Sequence, residues 1–246
     1  MTNDVLEKEY KDLNDIAAVY DYHDFDRIIR HYMIRALKPF LMPGRALEMG
    51  CAYGEFTEIL TEHYQDLTVI DAAEEFLNHT KNRVGDKAKY ILGLFENYQP
   101  TEDEKYDAIF IMHTLEHLLD PVDIMRRAKS WLTPMGRLYL VVPNANAGSR
   151  QIAVKMGLLT HNWALTEVDH KHGHRIMYSF DTFERDARAA DLNIIHRGGI
   201  FFKALANFQI DKAVQQGVID EKYMEACFQL GYIYPDLCNS IFLICD

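Results

Sequence analysis

Imidazoles, carboxylates and glycines gather in three places along the chain. His113, Glu116 and His117 stand at i, i+3 and i+4, so one helical turn sets them side by side. Asp169-His170-Lys171-His172-Gly173-His174 alternates imidazoles, and an extended backbone would bring alternate members to one face. In the stretch Glu48-Met49-Gly50-Cys51-Ala52-Tyr53-Gly54 an acid ends an apolar run and a glycine-bounded turn follows. Imidazole takes a proton near neutral pH and also ligates metals. The turn is of the kind that precedes a helix: Gly50 permits a sharp bend and close backbone approach, and the helix start beyond Gly54 offers free N–H groups to a ligand.

Each group has a simpler reading. Glu116 and His117 can cap and pack a helix; two histidines and a glutamate, if they did bind a cation, would favour a transition metal over magnesium. No metal is assigned from the sequence. The 169–174 run can be a solvated loop, although its place after a strand favours contact with a substrate. Cys51 reads as a small buried filler, since no base is tied to it. The turn itself departs from the dinucleotide fingerprint G-x-G-x-x-G: one glycine is missing, and a carboxylate precedes it. That carboxylate would repel a pyrophosphate and suits a ligand carrying positive charge.

The elements that must position these groups alternate. Apolar runs predict strands at 45–49, 67–71, 88–92, 106–112 and 137–142, with helices at 55–63, 73–84 and 121–132 between them and a turn at Pro134-Met135-Gly136. A short helix is expected within 1–24 and another over 25–41, stopped by Pro43-Gly44. Beyond the fifth strand, 143–175 breaks the alternation; a helix capped by Ser179, a strand at 192–196, helical sequence over 208–230 and a last strand at 240–245 follow. The pattern is an α/β, doubly wound, mostly parallel sheet, which binds ligands beyond the carboxyl ends of its strands. The acid Asp71 ends the second strand, placed to accept from ribose hydroxyls or to cap the next helix.

The 246 residues carry a formal net charge of −11, and no cluster of Lys and Arg stands out. Nucleic acid is therefore not an expected partner. The four cysteines show no CxxC spacing, the charged N-terminus does not resemble a signal peptide, and no apolar run approaches a membrane span. A cytoplasmic protein without membrane contact is expected, and a homodimer is compatible.

Residues 45–142 resemble the core of the class I S-adenosylmethionine-dependent methyltransferases. Glu48–Gly54 is similar to their first motif, Asp71 to the ribose acid and Gly93-Leu94-Phe95-Glu96 to the adenine loop. Tyr106–Pro121, with its Thr-Leu-Glu-His, resembles the segment of the ubiquinone-biosynthesis O-methyltransferase type, and Gly136–Asn144 and His174–Phe183 follow that subgroup. The resemblance implies a Rossmann-like seven-strand sheet with an antiparallel last strand, and S-adenosyl-L-methionine as cofactor. It implies cofactor contacts from Tyr20, Glu48, Gly50, Cys51, Tyr53, Gly54, Phe56, Asp71, Ala72, Leu94, Phe95, Met112 and His113. Leu94 departs from the Asp often found there and can pack against adenine without bonding its amine.

A single domain over 1–246 is expected: a helical cap (1–44), the cofactor core (45–142), an acceptor-covering insertion (143–178) and a completion of the sheet (179–246). The implied reaction moves a methyl group to an oxygen or nitrogen of a small molecule, a sugar or natural-product intermediate in preference to a quinone. His113, His117 and His172 are the candidate bases, and His170, His174 and Tyr178 the candidate acceptor contacts. The alternatives are metal-assisted RNA methylation, suggested by Glu116-His117, and a non-catalytic cofactor-binding scaffold.

Overall fold

The apolar body of the fourth run explains the architecture. In β4 (Tyr106–Met112) the residues Ala108, Phe110 and Met112 join one buried cluster and Ile109 and Ile111 the other. A strand apolar on both faces needs cover on both. In the computed structural model, which describes residues 2–246, β1 (Arg45–Met49), β2 (Asp66–Asp71), β3 (Lys89–Leu92), β4 and β5 (Leu132–Pro143) are parallel. β6 (Ile194–Phe202) and β7 (Cys238–Cys245) complete a sheet of order β3-β2-β1-β4-β5-β7-β6, with β7 antiparallel to both neighbours. The expected sheet and its antiparallel last strand are both present.

α2 (Asp24–Leu37) and α3 (Glu55–Leu60) pack on one face around Phe25, Ile29, Met33 and Phe56; α5 (Pro121–Ser130) and α8 (Phe180–Ala189) cover the other around Ile124, Met125, Trp131 and Phe183. Strand order reverses direction between β1 and β4, so their carboxyl ends open a crevice there. α1 (Asn3–Ala17) roofs that crevice. Its Asn14 donates to Ala72 O at 3.1 Å and accepts from the first N–H of α4 (Glu74–Val84) at 3.2 Å. Its Glu9 receives both carboxylate bonds from Arg175, at 2.8 and 3.0 Å, while Arg175 Nε donates to His117 O at 2.6 Å.

Several local expectations need correction. Pro134-Met135-Gly136 is not a turn between elements: it lies within β5 as a bulge, where pairing steps from Tyr106–Leu132 to Ala108–Arg137. A Cβ on Gly136 would stand 2.7 Å from Tyr106 O, so only glycine lets the strand return there. α5 ends at Ser130 because Trp131 turns into the core. β6 runs on to Phe202, with Phe201 buried in the core at φ +66°. The 208–230 helical stretch is two helices, α9 (Asn207–Gln215) and α10 (Glu221–Ile233), parted at Gly217 with φ +68°. The 143–175 stretch carries α6 (Gly148–Lys155) and α7 (Glu167–Lys171), the latter capped by Thr166.

Candidate functional site

The crevice is walled by the turns after the first four strands and roofed by Glu9, Leu13 and Ile16 of α1; with the open solvent at its mouth included it takes up about 970 Å³. Of the residues singled out in the sequence, Tyr20, Glu48, Gly50, Cys51, Phe56, Asp71, Ala72, Leu94, Phe95, Met112, His113, His117 and His172 all line it.

The turn after β1 is shaped by close packing. Gly50 has φ +86°, and a Cβ there would meet Thr114 Oγ1 at 2.6 Å. Ala52 pays a steric cost at φ 45°. Asp71 ties this turn to the start of α4: Oδ2 accepts from Cys51 N at 2.9 Å and Oδ1 from Ala73 N at 2.8 Å. Burial raises its pKa, opposed by those N–H bonds. Asp71 is thus not the cap of α4, whose N-cap is Ala73; it braces the loop before it, and although Cys51 Sγ also lies 3.5 Å from Oδ2, the side chain lines the cavity with acceptor capacity left on Oδ1.

The other end of the cavity carries buried polar groups whose protein partners are incomplete. Arg30 is 8% exposed; its Nη2 donates to Tyr22 OH at 3.0 Å and its Nη1 faces Met33 Sδ at 3.5 Å. No carboxylate among the described residues pairs with it. Buried guanidinium groups ordinarily have such a partner. Glu48, 1% exposed, accepts from Thr57 Oγ1 at 2.6 Å, and burial pushes its pKa up to about 8. A zwitterionic amino-acid group supplies what is missing, an anion for Arg30 and a donor for Glu48, while Asp71 offers acceptors to a diol and Leu94, Phe95 and Ala72 an apolar slot for a base. The residues fit S-adenosyl-L-methionine.

The histidines divide. His117 and His174 rings lie 4.7 Å apart, edge to face, with Glu116 beside them. Glu116, His117 and His174 offer ligand atoms all within 4.8 Å of one another. Neither Glu116 oxygen has a hydrogen-bond partner, nor does His174 Nδ1. Burial raises the Glu116 pKa to about 8 and lowers that of His174 to about 4; it lowers His117 well below the usual range, with His174 adding to it. His172 stacks on Tyr20 with ring centres 4.3 Å apart.

Other expectations are displaced. Tyr53 stands outside the cavity, where its hydroxyl donates to Tyr20 O at 2.9 Å. Gly54, φ +80°, faces Thr80 at a helix contact a Cβ would close to 2.9 Å. His170 is exposed on α7 because the 169–171 segment is helical, not extended. Tyr178 is wholly buried against Phe183, in the core under α8. A helical cap over 1–44 is expected from the sequence, and α1 is the part of it above the cavity; Arg30 and Glu9 are not among the expected contacts, though Arg30 occupies a core-facing position of α2, in step with Met33, Ile34 and Leu37, and a charge at such a position was the available signal.

Residues 20–197 match the family model described as "Methyltransferase domain". The ubiquinone biosynthesis O-methyltransferase of Hydrogenovibrio crunogenus is 32% identical over 111 residues, 44% of this chain and 46% of that protein. Nodulation protein S of Rhizobium tropici is 39% identical over 77 residues, 31% and 32% of the two chains. The chain thus spans about half or less of the length of these curated relatives. Among solved structures, a Leishmania major SAM-dependent methyltransferase superposes with a TM-score of 0.66 at 14% identity, covering 97% of this chain and 83% of that one. The N-methyltransferase NodS of Bradyrhizobium japonicum, in complex with S-adenosyl-L-homocysteine, gives 0.58 at 16% identity over 96% and 97%. With a family match over most of its length, the seven-strand sheet and a cavity that suits the methyl donor, the chain belongs to the class I S-adenosylmethionine-dependent methyltransferases, with S-adenosyl-L-methionine as its cofactor.

Proposed function

We propose that the protein transfers a methyl group to an oxygen or nitrogen of a small molecule. The observation that carries the reading is the convergence of Arg30, Glu48 and Asp71 on one cavity closed by α1. When bound, the cofactor supplies an activated methyl on sulfur, so the protein's task is alignment and removal of the acceptor's proton. Arg30 holds the methionine carboxylate, Glu48 faces its ammonium, and Asp71 receives the ribose hydroxyls. His117 and His172 are the candidate bases: both line the cavity and both are held neutral by burial, ready to accept a proton. The segment 143–178 reaches the acceptor side through His172, with His174 packed behind against the His117 ring and not lining the cavity. A roofed cavity of this size suits a small acceptor over a polymer. A curated relative is named for oxygen methylation and a structural neighbour for nitrogen methylation, and both stay within the proposal.

Calorimetry with S-adenosylhomocysteine tests the reading. Binding and a raised melting temperature are expected, with Asp71→Ala weakening affinity about tenfold through the loss of charge-assisted bonds to the diol. No heat and no thermal shift with the wild-type protein would end the reading; an unaltered Asp71→Ala would remove Asp71 from the ribose site.

A second reading concerns Glu116, His117 and His174, and the partnerless Glu116 oxygens favour it. We propose that these three hold a divalent cation, which when bound supplies Lewis acidity beside the acceptor. Two imidazoles and one carboxylate suit Mn²⁺ or Zn²⁺ better than Mg²⁺. Titration of the chelator-treated protein with Mn²⁺ is expected to show one site, lost in Glu116→Gln; equal heats from both proteins would exclude it.

A further inference from the structure

We propose that Ser240 and Asn239 fix His113 as its neutral Nδ1–H tautomer, a positioning hydrogen-bond donor on the acceptor side of the cavity and not its base. The use made of that donor rests on the methyl-transfer reading; the tautomer does not.

His113 leaves β4 in the left-handed region, φ +53°, with its N–H bonded to Val141 O of β5 at 2.8 Å. This conformation is costly for a residue with a Cβ, and such strain collects where a side chain must be aimed. Here it turns the imidazole across β5 toward β7. There Nε2 lies 2.8 Å from Ser240 Oγ, on a residue with no exposed surface. Ser240 Oγ also accepts from Asn239 Nδ2 at 2.9 Å. An amide nitrogen only donates, so the serine proton has one acceptor in reach, His113 Nε2. Leaving that buried proton unbonded would cost about 1–3 kcal/mol. Nε2 therefore accepts, and the ring hydrogen resides on Nδ1. Burial, with the Arg30 guanidinium and neighbouring His174, disfavours a second ring proton.

The consequence for chemistry is direct. A ring whose basic nitrogen is occupied by a serine cannot deprotonate an acceptor. Its Nδ1–H can bond a lone pair. The cofactor determinants Glu48, Asp71 and Leu94 stand at the carboxyl ends of β1, β2 and β3, whereas His113 points the other way along the sheet edge, toward β7. The donor thus serves the acceptor: a molecule with an oxygen or nitrogen lone pair beside its nucleophile is selected, and the proton is left to another group.

Long-range ¹H–¹⁵N correlation on the histidine-labelled full chain at pH 7 tests this, with His113→Asn assigning the signals, since Asn tolerates the left-handed backbone. A single Nδ1–H tautomer is expected. Ser240→Ala should give a mixture with Nε2–H, and Ser240→Thr, which keeps the hydroxyl, should restore the wild-type pattern. Affinity of Ser240→Ala for S-adenosylhomocysteine should stay within about twofold. An Nε2–H or doubly protonated ring in the wild type, a tautomer indifferent to Ser240→Ala, or a tenfold or greater loss of that affinity overturns the proposal. The spectrum is read without ligand, so failure to bind S-adenosylhomocysteine would strike the methyltransferase reading and leave the tautomer standing.

Discussion

Arg30→Met will lower the affinity for S-adenosylhomocysteine by about 100-fold while leaving the ligand-free protein no less stable. The first half follows from charge-assisted bonding. A guanidinium held under 10% exposed by α2 meets a carboxylate with no competing water, and two such bonds account for about 3 kcal/mol. The second half follows from what Arg30 lacks. Its hydrogen-bond partners are a tyrosine hydroxyl and a thioether, and no carboxylate among the described residues is within ion-pair distance; Asp26 acts on it only through space, so its desolvation is partly compensated until a ligand arrives. Methionine, unbranched and apolar, follows the arginine stem beside Met33 without carrying a charge into the interior. The two readouts have opposite signs, which separates a ligand-binding arginine from a structural one. A variant that melts several degrees lower yet binds with wild-type affinity would refute the assignment. Calorimetry and melting curves with and without S-adenosylhomocysteine decide it.

The contrast between Arg30 and Asp71 shows how far the sequence could be read. Asp71, Gly50 and the Leu94-Phe95 loop were legible because local rules place them: an apolar run ends, a turn follows, and in a parallel sheet every such end opens on one edge. Arg30 was illegible by the same logic. It sits one helix away, and nothing local says that α2 folds its charged position over the turn after β1. The cap is a mixed case. A helical cap over 1–44 was legible through the resemblance, but what pins it was not: only Arg175, far along the chain, holds Glu9 over the cavity. Tyr178 and His170 failed for opposite reasons. Tyr178, a candidate acceptor contact by sequence, lies where the chain dives into the core. His170 was placed by alternation that a short helix abolishes. The Pro134–Gly136 bulge mimics a turn in composition, since both need residues that leave the ladder. Within the site, therefore, positions fixed by strand ends were readable and positions fixed by contacts distant in sequence were not.

The second large effect concerns Glu116 and runs with pH. In the metal-free protein, burial lifts Glu116 and Glu48 to about 8, above the ordinary carboxylate value of 4.5. A raised carboxyl contributes stability that is full below its unfolded pKa and lost as pH climbs through its folded one. His174, lowered to about 4 from 6.5, does the reverse: its contribution is present above pH 6.5 and lost as pH falls through 4. His113 and His117, lowered well below 6.5, add to that side. Below pH 6.5 the two sets oppose each other. Between 6.5 and 8 these two glutamates, the carboxyls raised furthest, dominate the fall, each tilting stability downward by about 1.4 kcal/mol per pH unit. Lys203, lowered to about 8, enters only at higher pH. Stability should therefore peak near pH 6.5. Glu116→Gln, which cannot ionise, should remove about half of the fall and gain about 2 kcal/mol relative to the wild type between pH 6.5 and 8, or roughly 4–8 °C in Tm. Added Mn²⁺ should cancel the wild-type loss at pH 8, because the cation takes the charge that the proton otherwise neutralises, and should leave Glu116→Gln unmoved. Melting curves of chelator-treated protein across pH 5–8 check this. A Tm difference between wild type and Glu116→Gln that stays constant over that range would mean that Glu116 is already ionised and paired at neutral pH, and the cation site would lose its foundation.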